Sequence, residues 1–311
     1  MKLEQIFLSV IVCTYNRSTE MSQCVTELAE QAKEFSDVEI LIVDNNSRDD
    51  TKNTGVDLEA AYPGTVRYCF EEVQGLCRAR NRGREEARGE IMAIVDDDAI
   101  PHPNWVATVR QHFVAKKSDA LTGRIYAKPI GGLPKWFPDN LTWVLAEYER
   151  GTAIRPITHR EGIPGGHFAI TVEAFDEVGG FNEKLRIYSE EVEFFERFLQ
   201  KGLIAHYHPE VKIDHRPDIS RMSRKSLLQK AFNMGRGVGS LNLVRDVKTT
   251  SQKYMNAISF AKTGVALTLG WVLSPKRFDR GFTAFMNFGN SYQLLTGEMI
   301  GNRQIRVDRV S

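Results

Sequence analysis

No run of eighteen apolar residues occurs in this 311-residue chain, so no membrane-crossing helix is expected. The nearest stretches, 263–275 and 281–297, are uncharged but carry Thr, Ser, Asn, Gln and Gly. Lys276, Arg277, Asp279 and Arg280 separate them. That pattern suits helices lying on a membrane rather than passing through it. Cysteine is scarce: Cys13, Cys24, Cys69 and Cys77 fit no zinc spacing. Cys13 and Cys69 lie in apolar runs and read as buried thiols. The opening MKLEQIFLSV is too soon interrupted for a secretory leader, and with few cysteines the expectation is a reducing, cytoplasmic setting. No GxGxxG and no GxxxxGK[ST] follows the first apolar run. This absence argues against a dinucleotide dehydrogenase and against a P-loop nucleotidase. Net charge is also nearly absent, at +1.

That small net charge conceals an asymmetry. Residues 216–311 hold 16 Lys and Arg against 5 Asp and Glu, so a basic tail follows an acidic body. Such a tail suits an anionic surface, or is the solvated face of a helical subdomain. With 42% hydrophobic and 26% charged residues the composition is that of a globular protein.

The first 125 residues alternate. FLSVIVCTY, VEILIVD, VRYCF and EIMAIVD are continuous apolar runs. Between them, 19–34, 51–62 and 76–88 have helical character. Strands apolar on both faces, separated by helices, predict a parallel sheet covered on both sides. From 127 to 165 the chain is rich in Pro, Gly and Trp, and reads as loop. A strand is expected at 166–172, a helix at 189–201 with Ser189 as its N-cap, and a strand at 203–208. Basic amphipathic helices are expected from Ser223 onward.

Ligands of parallel α/β sheets bind beyond the carboxyl ends of the strands, so the residues that follow each strand matter most. They are Thr14-Tyr15-Asn16-Arg17, then Asp44-Asn45-Asn46-Ser47, then Asp96-Asp97-Asp98. If the backbone stays extended, Asp96 and Asp98 point to one side. Three adjacent carboxylates need a counter-charge, and a divalent cation bound to substrate phosphates supplies one. Asp44 suits either a ribose or base contact or an Asx turn. Arg78, Arg80 and Arg82 are the nearest basic groups for phosphates. Glu190 and Glu191 open a helix whose positive end keeps a carboxylate ionised, as a general base requires. His206, His208 and His215 cluster in sequence; the first two could bind metal but suit a structural strand-edge pair, and His215, after a strand and before Arg216-Pro217, could complete the coordination of a cation at Asp98 or be structural.

Together these blocks resemble the inverting family-two glycosyltransferases with the GT-A fold. The resemblance rests on VIVCTYNR, LIVDNNSRDDT, GLCRARNRGREEARGEIMAIVDDDAIPHPNWV, IPGGHFAITVEAFDEVGGFNE and YSEEVEFFERFLQKG, in that order. It implies an α/β, Rossmann-like, mostly parallel central sheet flanked by helices, followed by a basic helical extension. Residues 1–217 would form the catalytic domain, with a nucleotide-binding half at 1–125 and an acceptor half at 126–217. Residues 218–311 would form the helical region.

By the same resemblance Thr14, Tyr15, Asn16 and Asp44 would hold the nucleoside, and Arg78, Asp96, Asp97, Gly165 and Gly166 would bind substrate. Asp98, with Asp96 and His215, would hold Mn²⁺ or Mg²⁺. Glu191 would be the base, with Glu190 the alternative, since the family's usual Glu-Asp pair is Glu-Glu here. The implied reaction moves a sugar from a nucleotide-diphosphate donor, UDP-sugar by default, to a glycan or lipid-linked acceptor. Aromatic residues at 126–148 would line the acceptor cleft. The basic tail, 222–245 above all, would meet a membrane surface on the cytoplasmic face or join two copies, and no nucleic acid is expected. The rival readings are a sugar nucleotidyltransferase, which usually carries a Gly-rich basic loop after the first strand, and a non-catalytic binding module, which needs neither Glu191 nor the Asp triplet.

Overall fold

The four apolar runs become four parallel strands in the computed structural model, which describes residues 5–115, 118–158, 161–185, 188–218, 223–244, 250–273 and 277–296. They are β1 (Leu8–Thr14), β2 (Val38–Asp44), β3 (Val66–Phe70) and β4 (Ile91–Val95), in the order β3-β2-β1-β4. Every residue of β2 is buried, as is all of β1 except Cys13. Helices α1 (Ser18–Ala32), α2 (Thr51–Ala61) and α3 (Leu76–Glu86) make the crossovers. In α1 the buried residues Met21, Cys24, Val25, Leu28, Ala29 and Ala32 recur at helical spacing and cover the sheet. None of the four cysteines is in a disulfide; Cys24 and Cys77 are buried, whereas Cys13 and Cys69 are partly buried.

Beyond β4 the sheet changes character. After the short β5 (Ala99–Pro101) and α4 (Trp105–Val114) come β6 (Ala120–Ala127), a 3-10 helix (Asp139–Leu145), β7 (Arg155–Pro156) and β8 (His167–Thr171). Helices α5 (Val172–Val178) and α6 (Glu190–Gln200) lead to β9 (Ala205–His215). The sheet continues β4-β8-β6-β9-β5. Strand β8 runs antiparallel to both β4 and β6, and β5 runs antiparallel to β9. The parallel pattern predicted for the first half therefore gives way to a mixed second half. The expected strand at 203–208 extends to His215, and its register against β6 shifts between Gly123 and Arg124.

The chain divides into two compact units. The first contains residues 1–181 and 191–221, and the second contains 182–190 and 222–311. In the second, α7 (Arg224–Val244), α8 (Thr250–Leu273) and α9 (Phe278–Thr296) are long helices. Among the described residues no helix is long and apolar enough to cross a membrane.

Candidate active site

The mouths of β1 and β2 are sewn together by short polar side chains. The Ser47 N–H donates to Asp44 Oδ1 at 2.9 Å, and the Tyr68 hydroxyl donates to Asp44 Oδ2 at 2.8 Å. Asp44 thus makes the Asx-type turn, and its carboxylate is buried. Asn16 receives and gives in turn: its N–H donates to Ser47 Oγ at 2.9 Å, and its Oδ1 accepts the Arg48 N–H at 2.7 Å. Asn16 and Asn46 both sit in the left-handed region, at φ +52° and +63°, where asparagine is tolerated better than most residues. Thr14 is buried beside this turn and Tyr15 is exposed.

The Asp triplet does not stay extended. It forms a turn, with the Ala99 N–H donating to the Asp96 carbonyl at 3.1 Å. Neighbours on both sides clamp it. The Asp96 N–H donates to the Gly166 carbonyl at 3.0 Å, and the Arg216 N–H donates to the Asp98 carbonyl at 2.8 Å. Arg17 of the chain itself bridges two of the carboxylates: its Nη1 lies 2.5 Å from Asp97 Oδ1 and 2.8 Å from Asp98 Oδ2. Arg17 is a site residue to which sequence reasoning gave no role. Its position in the turn after the first strand was the available signal.

Burial pushes the Asp97 carboxyl up to about 6, against the pull of Arg17. Burial likewise raises Asp96, against Arg80.

Pairing of β5 with β9 sets His215 opposite Ala99, next to Asp98. His215 Nε2 lies 3.2 Å from Asp98 Oδ1, while Nδ1 lies 2.8 Å from the Leu145 carbonyl. The Leu145 carbonyl accepts from Nδ1–H and so turns Nε2 to the carboxylate, to which a protonated Nε2–H donates; a neutral imidazole so oriented would offer its Nε2 lone pair to a cation. Burial alone would lower this imidazole's pKa, but the hydrogen bond and charge of Asp98 outweigh it and raise it. His206 and His208 do not join His215. They meet His112 of α4 instead, at ring-centroid distances of 5.6 and 5.9 Å. Among the described residues no group of three His, Cys, Asp or Glu side chains is arranged to hold a metal.

Gly165 and Gly166 bring the remaining pieces to one place. A Cβ on Gly166 would stand 1.9 Å from Asp96 Oδ2. A Cβ on Gly165 would stand 3.0 Å from Glu191 Cβ and 3.2 Å from Arg80 Nη2. Arg80 is buried and its guanidinium lies 5.2 Å above the Phe181 ring; Arg78, on the same helix, is exposed. Glu191 owes its direction to α6. Phe194 and Phe195, three and four residues on, share its helix face and are buried. Phe194 stacks on Phe181 at 4.6 Å and Phe195 meets Phe168 at 5.1 Å. Asn81 fixes Phe181, donating from Nδ2 to its carbonyl at 3.0 Å and accepting its N–H at 2.9 Å. Glu190 is the first residue of α6. The aromatic stretch divides: Phe137 and Tyr148 are buried, and Trp143 is exposed.

Residues 9–179 match the family model described as "Glycosyl transferase family 2". The chain belongs to glycosyl transferase family 2. Residues 151–221 of this family 2 chain also match a model described as the N-terminal domain of galactosyltransferase. Among curated proteins it is 32% identical over 127 residues to the glycosyltransferase AglE of Haloferax volcanii, covering 40% of this chain and 42% of that protein. It is 26% identical over 180 residues to the glucosyl-dolichyl phosphate glucuronosyltransferase of the same organism, covering 56% of each. The chain thus spans about half the length of these relatives. Among solved structures, the mannosyltransferase PcManGT from Pyrobaculum calidifontis, in complex with GDP-Man and Mn²⁺, superposes with a TM-score of 0.64. The identity is 18%, over 94% of this chain and 88% of that one. This likeness shows that the family 2 chain has the GT-A-type fold.

Proposed function

We propose that this family 2 chain transfers a sugar from a nucleotide-diphosphate donor, UDP-sugar foremost, to a hydroxyl of a glycan or lipid-linked acceptor, inverting the anomeric centre in one displacement. One observation carries the reading: consecutive glycines, Gly165 and Gly166, lie against Glu191 and Asp96. A base candidate and a donor-side carboxylate thereby share one wall. The complexes of relatives support a nucleotide-sugar donor, since PcManGT was solved with GDP-Man and Mn²⁺.

In this reading Thr14, Tyr15, Asn16 and Asp44 shape the nucleoside pocket, with the exposed ring of Tyr15 available for stacking on the base. Arg17, Arg78 and Arg80 attract the diphosphate. The donor set fits a divalent cation: Asp98 and His215 would offer a carboxylate and an imidazole, with Asp96 close by, and substrate phosphates would supply further oxygens. When bound, it would offset charge on the leaving diphosphate. Glu191, in the first turn of α6, takes the proton from the acceptor hydroxyl as it attacks. Glu190 is the runner-up. The dolichyl phosphate in the name of one relative supports a lipid-linked acceptor, and with it a peripheral enzyme on the cytoplasmic face of a membrane.

The test is product release from UDP-, GDP- and dTDP-sugars with Mn²⁺, with Mg²⁺ or with EDTA. Nucleoside diphosphate release that needs the divalent ion is the expected result. Release of sugar 1-phosphate, with added pyrophosphate consumed to form nucleoside triphosphate, would indicate nucleotidyl transfer, and binding without release would indicate a non-catalytic module.

A further inference from the structure

Helix α8 is apolar on two sides. Among its described side chains the small residues Ala257 and Gly264 are the buried ones. Gly264 admits the Phe288 ring of α9, which a Cβ would meet at 2.7 Å, and the Ala257 carbonyl accepts the Ser291 hydroxyl at 2.9 Å. Whereas Phe260, Leu267 and Trp271 are half-buried on that side of the helix, six large apolar residues point to solvent: Met255, Ile258, Val265, Leu269, Val272 and Leu273, each at least 50% exposed. Their spacing keeps them on one face of the helix, a stripe of roughly 27 Å at the standard rise. An apolar face of this extent on a soluble unit marks an interaction surface.

The face also has a charge signature. Lys262 is exposed within the stripe, and Thr250–Leu273 contains no Asp or Glu. Residues 216–311 as a whole carry 16 basic against 5 acidic residues. By contrast α7, which the sequence singled out as the amphipathic surface helix, buries Leu227, Ala231 and Leu241.

We propose that the outer face of α8 seats on the surface of an anionic lipid bilayer. The apolar side chains enter the boundary between headgroups and acyl chains, and Lys262 extends along its own methylenes to a lipid phosphate. A second copy docked through the same face would bring two Lys262 residues together with no acid on either helix, which lipid avoids. The helix lies along the surface, being too polar to cross it.

The test is flotation of the full chain with phosphatidylcholine vesicles, with and without phosphatidylglycerol, in the absence of any sugar donor. The full chain is expected to float with the anionic vesicles. V265E/L269E should reduce this at least about tenfold, as charge replaces buried apolar surface, and K262Q about fivefold, as one basic contact is lost. Both side chains of the double variant are more than half exposed, so its circular dichroism and thermal midpoint should match the parent's. Unchanged flotation of the double variant, or flotation indifferent to phosphatidylglycerol, would overturn the proposal. So would a homodimer by light scattering that the same double variant splits, which would make the occupant a second copy. Donor turnover does not enter these readings, so the lipid surface and the transfer reaction stand or fall separately.

Discussion

The two units spend glycine differently. In the first, Gly165 and Gly166 make room for side chains that carry charge: Glu191, Arg80 and Asp96. In the second, Gly264 admits the Phe288 ring, while Gly235 and Gly289 make room for the backbone of a neighbouring helix. A Cβ on Gly235 of α7 would stand 1.8 Å from the Met286 carbonyl oxygen, and one on Gly289 of α9 would stand 1.9 Å from that of Phe232. The same missing methyl therefore serves chemistry in one unit and close helix packing in the other. A charged side chain beside a glycine can shift at little cost in folding energy, though it loses its aim. A helix carbonyl cannot shift without breaking its own ladder.

Four measurements would break or sharpen that comparison. The largest effect is expected at the group that Gly165 admits. Glu191→Gln should lower turnover by about 10²–10⁴-fold, the usual worth of a general base, while calorimetric binding of nucleoside diphosphate persists; near-parental turnover would remove Glu191 from its role.

Next comes a pH effect confined to the first unit, because residues 216–311 contain no histidine. His167 is fully buried, Trp105 Nε1–H donates to its Nε2 at 2.9 Å, and burial holds its pKa down to about 3. Its neutral form is favoured in the folded state, so its contribution is complete above the ordinary histidine pKa and is lost as pH falls toward 3. Between pH 7 and pH 4 the loss should be roughly 3 kcal/mol. Urea unfolding of parent and His167→Gln at the two pH values should show that difference shrink; equal slopes would mean the imidazole is not held neutral.

Gly166→Ala should then cost about 10²-fold in turnover, the price of displacing a reacting group by about an ångström, with little change in thermal midpoint. A large stability loss with intact turnover would reverse the contrast between the units. Smallest is Gly235→Ala, expected to destabilise the helical unit by about 1–3 kcal/mol through overpacking. Hydrogen exchange should report that loss in α7 and α9, with nucleotide binding retained.

Much of the first unit was legible from residue order. Continuous apolar runs set β1 to β4 within a residue or two, because strands buried on both faces cannot hide their composition. Polar residues at three strand ends pointed to the site, because the mouths of parallel strands lie together. The second half was less readable. Strand β6 was partly hidden by the Pro- and Gly-rich chain that follows it, and the sequence carries no mark that β8 would run antiparallel between β4 and β6. The His206–His208 pair and His215 are neighbours in sequence, yet β9 separates them along its length, and α4 takes the pair. Arg80 and Arg78 look alike in the sequence, but helical phase buries the first and exposes the second. In the tail, composition named basic helices correctly; which helix kept an apolar face outward depended on where the small residues fell.

What the sequence determined by itself is the alternating α/β frame and the carboxylates at its strand ends, both consequences of local periodicity and of burial on two faces. Tertiary structure alone decided that Arg17 bridges Asp97 and Asp98 and that Glu191 meets Gly165, and it set the distance at which His215, which the sequence already paired with Asp98, reaches it across β5 and β9. Each of those contacts joins residues tens to over a hundred positions apart, and only strand register and helix phase, set by packing of the whole core, bring such groups together.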